Sequence, residues 1–198
     1  MNGPGGTPDG SPGAPYLTIQ DGVDNASPGN IIKVQPGTYN ENVSISTDHI
    51  HLVGQGAATA VVNAGNALNG IEITQSVEGV SIANFRFTNA VSSGGGSYAG
   101  VIIYGSSPDP RGLEICNNVF VGNELGVAAQ NATSPVIVNN DFVNNIDAGV
   151  STGTGSTAIV RNNLFQGNAD GIRSSSANVV IDYNLFFDNT QNFGGAAT

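Results

Sequence analysis

The sequence predicts an all-β chain wound as a solenoid of parallel strands, closed at its N-terminal end by one short helix. Three observations carry that prediction. The motif Asn-x-Phe-x-x-Asn is written four times, at Asn118–Asn123, Asn140–Asn145, Asn163–Asn168 and Asn184–Asn189. Its phenylalanines, Phe120, Phe142, Phe165 and Phe186, follow one another at steps of 22, 23 and 21 residues, a period that suits one coil of backbone per repeat. Each unit offers only short runs of Val, Ile and Phe broken by Gly, Asn and Ser. A helical repeat would need two apolar stripes of helical spacing per unit, so strands and turns fit where helices do not.

Within one unit, about 22 residues at roughly 3.3 Å each make three short strands joined by bends, and coils stack about 4.8 Å apart. Asn118, Asn140, Asn163 and Asn184 then lie above one another and point inward, as do the four phenylalanines. Asn tolerates a left-handed bend, and its amide can bond the same amide one coil up, so this column is expected to sit at the bend and to form a ladder. A Gly-led apolar pair follows the first three copies, at Gly126-Val127, Gly149-Val150 and Gly171-Ile172. If Ile115, Ile137, Val160 and Ile181 point inward, their neighbours Glu114, Val136, Ile159 and Val180 point out. Val136, Ile159 and Val180 thus form an outward apolar stripe over three coils, a candidate association surface.

Residues 1–15 form a Gly/Pro-rich N-terminal segment with linker composition, which becomes ordered only where its own domain or a neighbouring molecule pins it. Residues 16–29 hold a cap helix and turn, with Ile19, Val23 and Ala26 on one face and Ser27-Pro-Gly29 as its stop. The β-helix coils occupy residues 30–198, interrupted by an insertion at 90–112 that stretches the step from Phe87 to Phe120 to 33 residues. That insertion, with Ser92-Ser-Gly-Gly-Gly-Ser97 and Ser107-Pro-Asp-Pro-Arg111, is the segment expected to leave the solenoid wall.

Ser11-Pro-Gly-Ala-Pro-Tyr-Leu-Thr-Ile-Gln-Asp-Gly-Val-Asp-Asn-Ala26, continued through Val34-Gln-Pro-Gly-Thr-Tyr39 to Ile45, resembles the opening segment of pectin-lyase-like right-handed parallel β-helix proteins. With the Asn-x-Phe units the resemblance covers nearly the whole chain. It implies a single-stranded right-handed parallel β-helix and an extracellular or cell-surface location, and chain length over the 22-residue period gives about seven coils. It implies little about activity, because this fold hosts lyases, hydrolases, esterases, epimerases, adhesins and tailspikes.

Charge narrows the partners. Five basic residues, Lys33, Arg86, Arg111, Arg161 and Arg173, stand against 15 acidic ones for a net charge of −10, which argues against nucleic acid and anionic membranes. No apolar segment approaches membrane-spanning length, and the N-terminus has no signal-peptide pattern. A mature secreted chain fits this, and so does a cytoplasmic one. The same negative field repels an acidic polysaccharide unless a divalent cation bridges the two, so no cofactor is expected, with calcium as the one open possibility. Cys116 is alone, so no internal disulfide forms.

The acid–base pattern of the family's hydrolases, Asn-Thr-Asp followed by paired aspartates and Gly-His-Gly, is absent from the sequence. So are the arginine and calcium-aspartate signature of the pectate lyases and the paired aspartates of the pectin esterases. His49 and His51 are expected on one face of an early strand. One weak site can be assembled: Arg161 and Asp182 share an outward column on successive coils, with Arg173 and Asp170 at the neighbouring turn. Carboxylates there could hold a cation while an arginine abstracts a proton beside a uronate, but a coil-to-coil Arg–Asp pair is more often a surface salt bridge. Asn25, Asn42 and Asn131 begin glycosylation triplets, which matter only in a eukaryotic secretory route.

The leading expectation is an extracellular structural or self-assembling module whose partners are copies of itself, joined head to tail or laterally. The alternative is a carbohydrate-active β-helix, either a polysaccharide lyase or hydrolase or a non-catalytic glycan-binding relative.

Overall fold

The computed structural model describes residues 8–57, 59–66, 68–92, 97–105, 112–131 and 133–196. Between Ile31 and Gly195 the chain makes seven coils of three strands, and equivalent strands align as three seven-stranded parallel sheets. Coil 1 consists of Ile31–Val34, Gly37–Tyr39 and Val43–Ile45, and coil 7 of Val180–Asp182, Leu185–Phe187 and Gln191–Gly195. The first, second and third strands of every coil belong to sheets 1, 2 and 3 respectively.

The register repeats without slippage. Ile82, Ile115, Ile137, Val160 and Ile181 form one inward column of sheet 1, and Phe87, Phe120, Phe142, Phe165 and Phe186 its counterpart in sheet 2. Those five rings stack with centroids 4.8–5.0 Å apart and planes within 11° of parallel. The degenerate copy Asn84–Asn89 therefore contributes Phe87 to the same stack. This spacing also explains the Gly before Val101, Val127, Val150 and Ile172 of sheet 3. A Cβ on Gly149 would lie 2.6 Å from Cδ1 of Phe165, and one on Gly126 would lie 2.5 Å from the same atom of Phe142.

The Asn column forms the expected ladder. Asn118 Nδ2 donates to Ile82 O at 2.9 Å and to Asn140 Oδ1 at 3.2 Å, and that Oδ1 also accepts from the Asn118 backbone N–H at 2.9 Å. The pattern recurs from Asn140 to Asn163 and from Asn163 to Asn184. The left-handed bend, however, falls one residue earlier than expected. Asn117, Asn139, Asn162 and Tyr183 have φ of 54–57°, so the bend residue turns outward while the ladder residue faces in. A second ladder, Asn123–Asn145–Asn168–Asn189, runs along the corner between sheets 2 and 3. Hydroxyls serve the third corner, where Thr152 Oγ1 donates to Ser174 Oγ at 2.7 Å and Ser176 Oγ to Ser156 O at 2.7 Å. Among the described residues, Thr133 Oγ1 alone is a buried side-chain polar atom with no partner.

The cap helix α1 spans Ile19–Asp24 and buries Ile19 and Val23 on the first coil, with Ala26 packed beside them. Thr18 Oγ1 accepts from Asp21 N at 3.0 Å, while the Glu41 carboxylate of coil 1 takes the Ile19 and Gln20 amides at 2.9 and 3.0 Å. Gln20 in turn bonds both backbone groups of Ser44, which occupies the free edge of sheet 3. Upstream, residues 9–14 fold onto themselves through Asp9 N donating to Ala14 O at 2.9 Å. Residues 1–7 lie outside the described residues, as do 93–96 and 106–111 with Arg111. The stretch 90–112 is not all excursion: it contains Ala99–Ile103, the sheet 3 strand of coil 3, so the extra length lies in the connections before and after that strand. The two histidines do not share a strand face. His49 has φ of 57° and precedes the strand His51–Gly54, whereas His51 faces out and its Nδ1 lies 2.8 Å from Ser81 Oγ.

Two neighbouring asparagines separate the roles of bend and ladder. Asn140→Ala removes bonds to buried carbonyls and amides and is expected to cost about 2–3 kcal/mol in urea denaturation, whereas Asn139→Gly stays within about 1 kcal/mol of the parent. Equal effects at the two positions would contradict the ladder.

Candidate binding groove

Two concavities stand out among the described residues. The larger, about 550 Å³, lies between residues 9–16, the cap helix and coil 1, with Tyr16, Lys33 and Tyr39 in its walls. Its walls are the segments that close the end of the solenoid, and Thr18, Asn25 and Asn30 among them bond the backbone of the cap helix and its turn. The second, about 410 Å³, lies on the wall itself, along the outer face of sheet 3 from coil 3 to coil 6. Three inter-coil steps make it on the order of 15 Å long.

Two outward columns build this second groove. One runs Ser44–Glu72–Ile102–Ala128–Ser151–Arg173–Gly194 and the other Ala99–Leu125–Ala148–Asp170–Gln191. Although outward, Ile102 and Ala128 are only 3% and 6% exposed, and with Ala99, Leu125, Ala148 and Tyr104 they make an apolar cluster separate from the main core. Of this cluster Ile102, Leu125 and Ala128 reach the bottom of the groove, and Ser97, Gln130, Asn131, Ser151, Arg173 and Ser175 line its sides. Burial and the Glu72 carboxylate hold the Tyr104 phenol above its ordinary range, so it is a neutral donor at physiological pH.

Among the described residues, Arg173 is the charged group of the lining. Nη1 and Nη2 donate to the two carboxylate oxygens of Asp147 at 2.5 and 2.6 Å, and this bond raises the guanidinium further above its ordinary value. Asp170, which the sequence places near Arg173, is buried and accepts from Gln191 Nε2. The partner that closes on Arg173 is therefore Asp147, one coil below at the corner between sheets 2 and 3. Glu124 stands one coil below Asp147, since Asp147 N donates to Glu124 O at 2.9 Å.

Arg161 and Asp182 do meet, on the outer face of sheet 1, through a bidentate pair at 2.6 and 2.8 Å. The pair raises the guanidinium and lowers the carboxyl from their ordinary values. It lies on a different sheet from Arg173 and Asp170, so the four residues do not converge. Val136, Ile159 and Val180 stand in register on the same face of sheet 1, with Val180 47% exposed. Cys116 is half-buried on this face, and its thiol is raised by burial and by Glu114. Among the described residues, no group of three or more His, Cys, Asp or Glu side chains is arranged to hold a metal ion. No described helix is long and apolar enough to cross a membrane. Sequence reasoning missed the groove, whose residues share no motif; the signal available was the outward position of Ile102, Ala128, Ser151 and Arg173 at the coil period.

A family profile described as "right handed beta helix region" matches residues 69–197. No curated protein sequence matches the chain significantly. Solved structures with a similar course include a pectin methylesterase mutant in complex with a hexasaccharide, at 14% identity and TM-score 0.43. They also include pectin methylesterase PemA from Erwinia chrysanthemi, again at 14% identity and TM-score 0.43. In both comparisons 86% of this chain and 71% of the other are covered. Likeness at this level concerns the fold alone.

Charges on the wall make two expectations. Loss of water beside Val119 and Leu164 pushes the Asp141 carboxyl above its ordinary value. Ionising it therefore costs more in the folded than in the unfolded chain, a penalty present at neutral pH and gone once acid protonates both states. Because Asp141 is exposed and the penalty is screened by solvent, Asp141→Asn should raise stability at pH 7 by only about 0.2 kcal/mol, with no gain near pH 3. Arg161→Gln should leave the melting temperature unchanged in high salt, because an exposed pair is screened.

Proposed function

Because this chain belongs to the right-handed β-helix family, its wall is a rigid platform, and we propose that it binds an extended polysaccharide along the outer groove of sheet 3. The observation that carries this reading is the make-up of that groove. Over the nearly buried side chains of Ile102, Leu125 and Ala128, the amides and hydroxyls of Gln130, Asn131, Ser151 and Ser175 suit the hydroxyls of sugar rings. A run of strands four coils long presents this surface preformed, so little ordering is needed on binding. The proposal is one of binding rather than turnover: Arg173 is held bidentately by Asp147, and Asp170 is buried against Gln191. Polymers of this kind place the chain at or outside the cell surface.

A second reading, association with copies of itself, is favoured by the Val136–Ile159–Val180 stripe and by Leu185 and Phe187, which are 64% and 62% exposed on the last described coil. Light scattering over micromolar concentrations separates the two readings. Association that Ile159→Lys abolishes would favour this second reading.

For the groove, affinity electrophoresis through polysaccharide-containing gels is the direct test. Ser151→Trp fills the middle of the lining and should weaken binding by at least about tenfold, equivalent to about 1.4 kcal/mol, with an unchanged melting curve. Val136→Lys on sheet 1 should bind as the parent does. Equal retardation of parent and Ser151→Trp would sink the assignment to this groove.

A further inference from the structure

The charges around the groove define the class of polymer it takes, an inference that rests on the polysaccharide reading above. Arg173 offers one positive charge to the lining, but both of its terminal nitrogens are already committed to Asp147. Glu124, one coil below Asp147, and Asp170, on the same strand as Arg173, lie within its electrostatic reach. Among the described residues, one guanidinium against three carboxylates leaves the neighbourhood at −2, on a chain whose net charge is −10. Glu72 adds a further carboxylate in the Ile102 column, one coil below it.

A polyuronate would bring a negative charge on every sugar into this field and could reach the guanidinium only by displacing Asp147. A polymer of amino sugars would gain from the surrounding carboxylates but would press its ammonium groups against Arg173, the charge that faces the groove. Hydroxyl-only sugars meet neither penalty and are matched by the amide and hydroxyl lining. We propose that the groove selects an uncharged polysaccharide and rejects polyuronates through the Glu124, Asp147 and Asp170 carboxylates.

The test compares the full chain's binding to soluble uncharged β-glucan, xylan and galactan, to polygalacturonate and to chitosan, at low and high salt. At least one uncharged polymer should bind with little dependence on salt. Polygalacturonate should bind about tenfold or more weakly at low ionic strength, and the gap should narrow as salt screens the carboxylates. Asp147→Asn, which frees the guanidinium, should improve polygalacturonate binding several-fold and leave the uncharged polymer within about twofold. Glu124→Gln should shift the ratio in the same direction without disturbing the Arg173 bond, which covers the case of an Asp147 variant that fails to fold. Polygalacturonate or chitosan bound best by the parent would overturn the selectivity while leaving polysaccharide binding standing. No retention of any polymer would overturn both.

Discussion

The inter-coil amide ladder is the constraint on which the rest of this structure depends. A parallel solenoid must turn three corners per coil, and at each corner backbone groups leave the strand ladder while still buried. An unpaired buried amide or carbonyl costs about 1–3 kcal/mol, so corners left unaided would cancel much of what the apolar columns contribute. Here the side chain of one coil serves the backbone of the next. Asn140 Oδ1 takes both the backbone and side-chain N–H of Asn118, and Asn145 Oδ1 does the same for Asn123. Because these bonds tolerate only one spacing, they fix the phenylalanine stack at 4.8–5.0 Å, and the stack in turn requires the glycines that face it.

Fixing the interior frees the exterior. In sheet 1 the inward residues are Ile, Ile, Val and Ile over four coils, while the outward column beside them changes from Glu114 to Val136, Ile159 and Val180. The same holds on sheet 3, where the inner column keeps Val101, Val127, Val150 and Ile172 as the outer one passes from Ile102 through Ala128 and Ser151 to Arg173. A ligand groove on such a wall is assembled from residues about one coil period apart and held at strand spacing. Its geometry is inherited from the ladders, and its chemistry from positions the ladders leave alone.

That division explains what the sequence made legible. Inward residues repeat, so coil number, register and the first ladder could be read from four copies of one motif, while the cap helix was legible in the spacing of Ile19, Val23 and Ala26. The second ladder was also spelled out, in the last Asn of Asn-x-Phe-x-x-Asn, and was overlooked because Asn123 and its equivalents stand beside a turn. The bend was misplaced by one residue because both members of each Asn-Asn pair suit a left-handed conformation, and only packing decides that Asn139 turns out while Asn140 turns in. The groove was not legible for the opposite reason: outward residues do not repeat. Arg173 finds Asp147 across 26 residues, and Ile102 and Tyr104 belong to a strand hidden in what looks like a long insertion.

Charge placement along the wall separates the groove from the rest of the surface. In parallel sheets, equivalent residues of neighbouring coils sit directly over one another, and like charges so placed are destabilising. Despite the excess of acidic residues, no two carboxylates occupy neighbouring positions within a described strand column. Glu114 stands between Ser81 and Val136, Asp141 between Val119 and Leu164, and Asp182 beside Arg161. At the edge of the sheet 3 groove the pattern is different: Glu124 and Asp147 follow each other on successive coils, and Arg173 closes on the upper of the two. Both carboxylates are also bonded there: Glu124 Oε2 accepts from Ser92 N at 3.0 Å, and Asp147 holds Arg173. Besides those bonds, the pair adds negative charge beside the groove, which is the feature the proposed selectivity rests on.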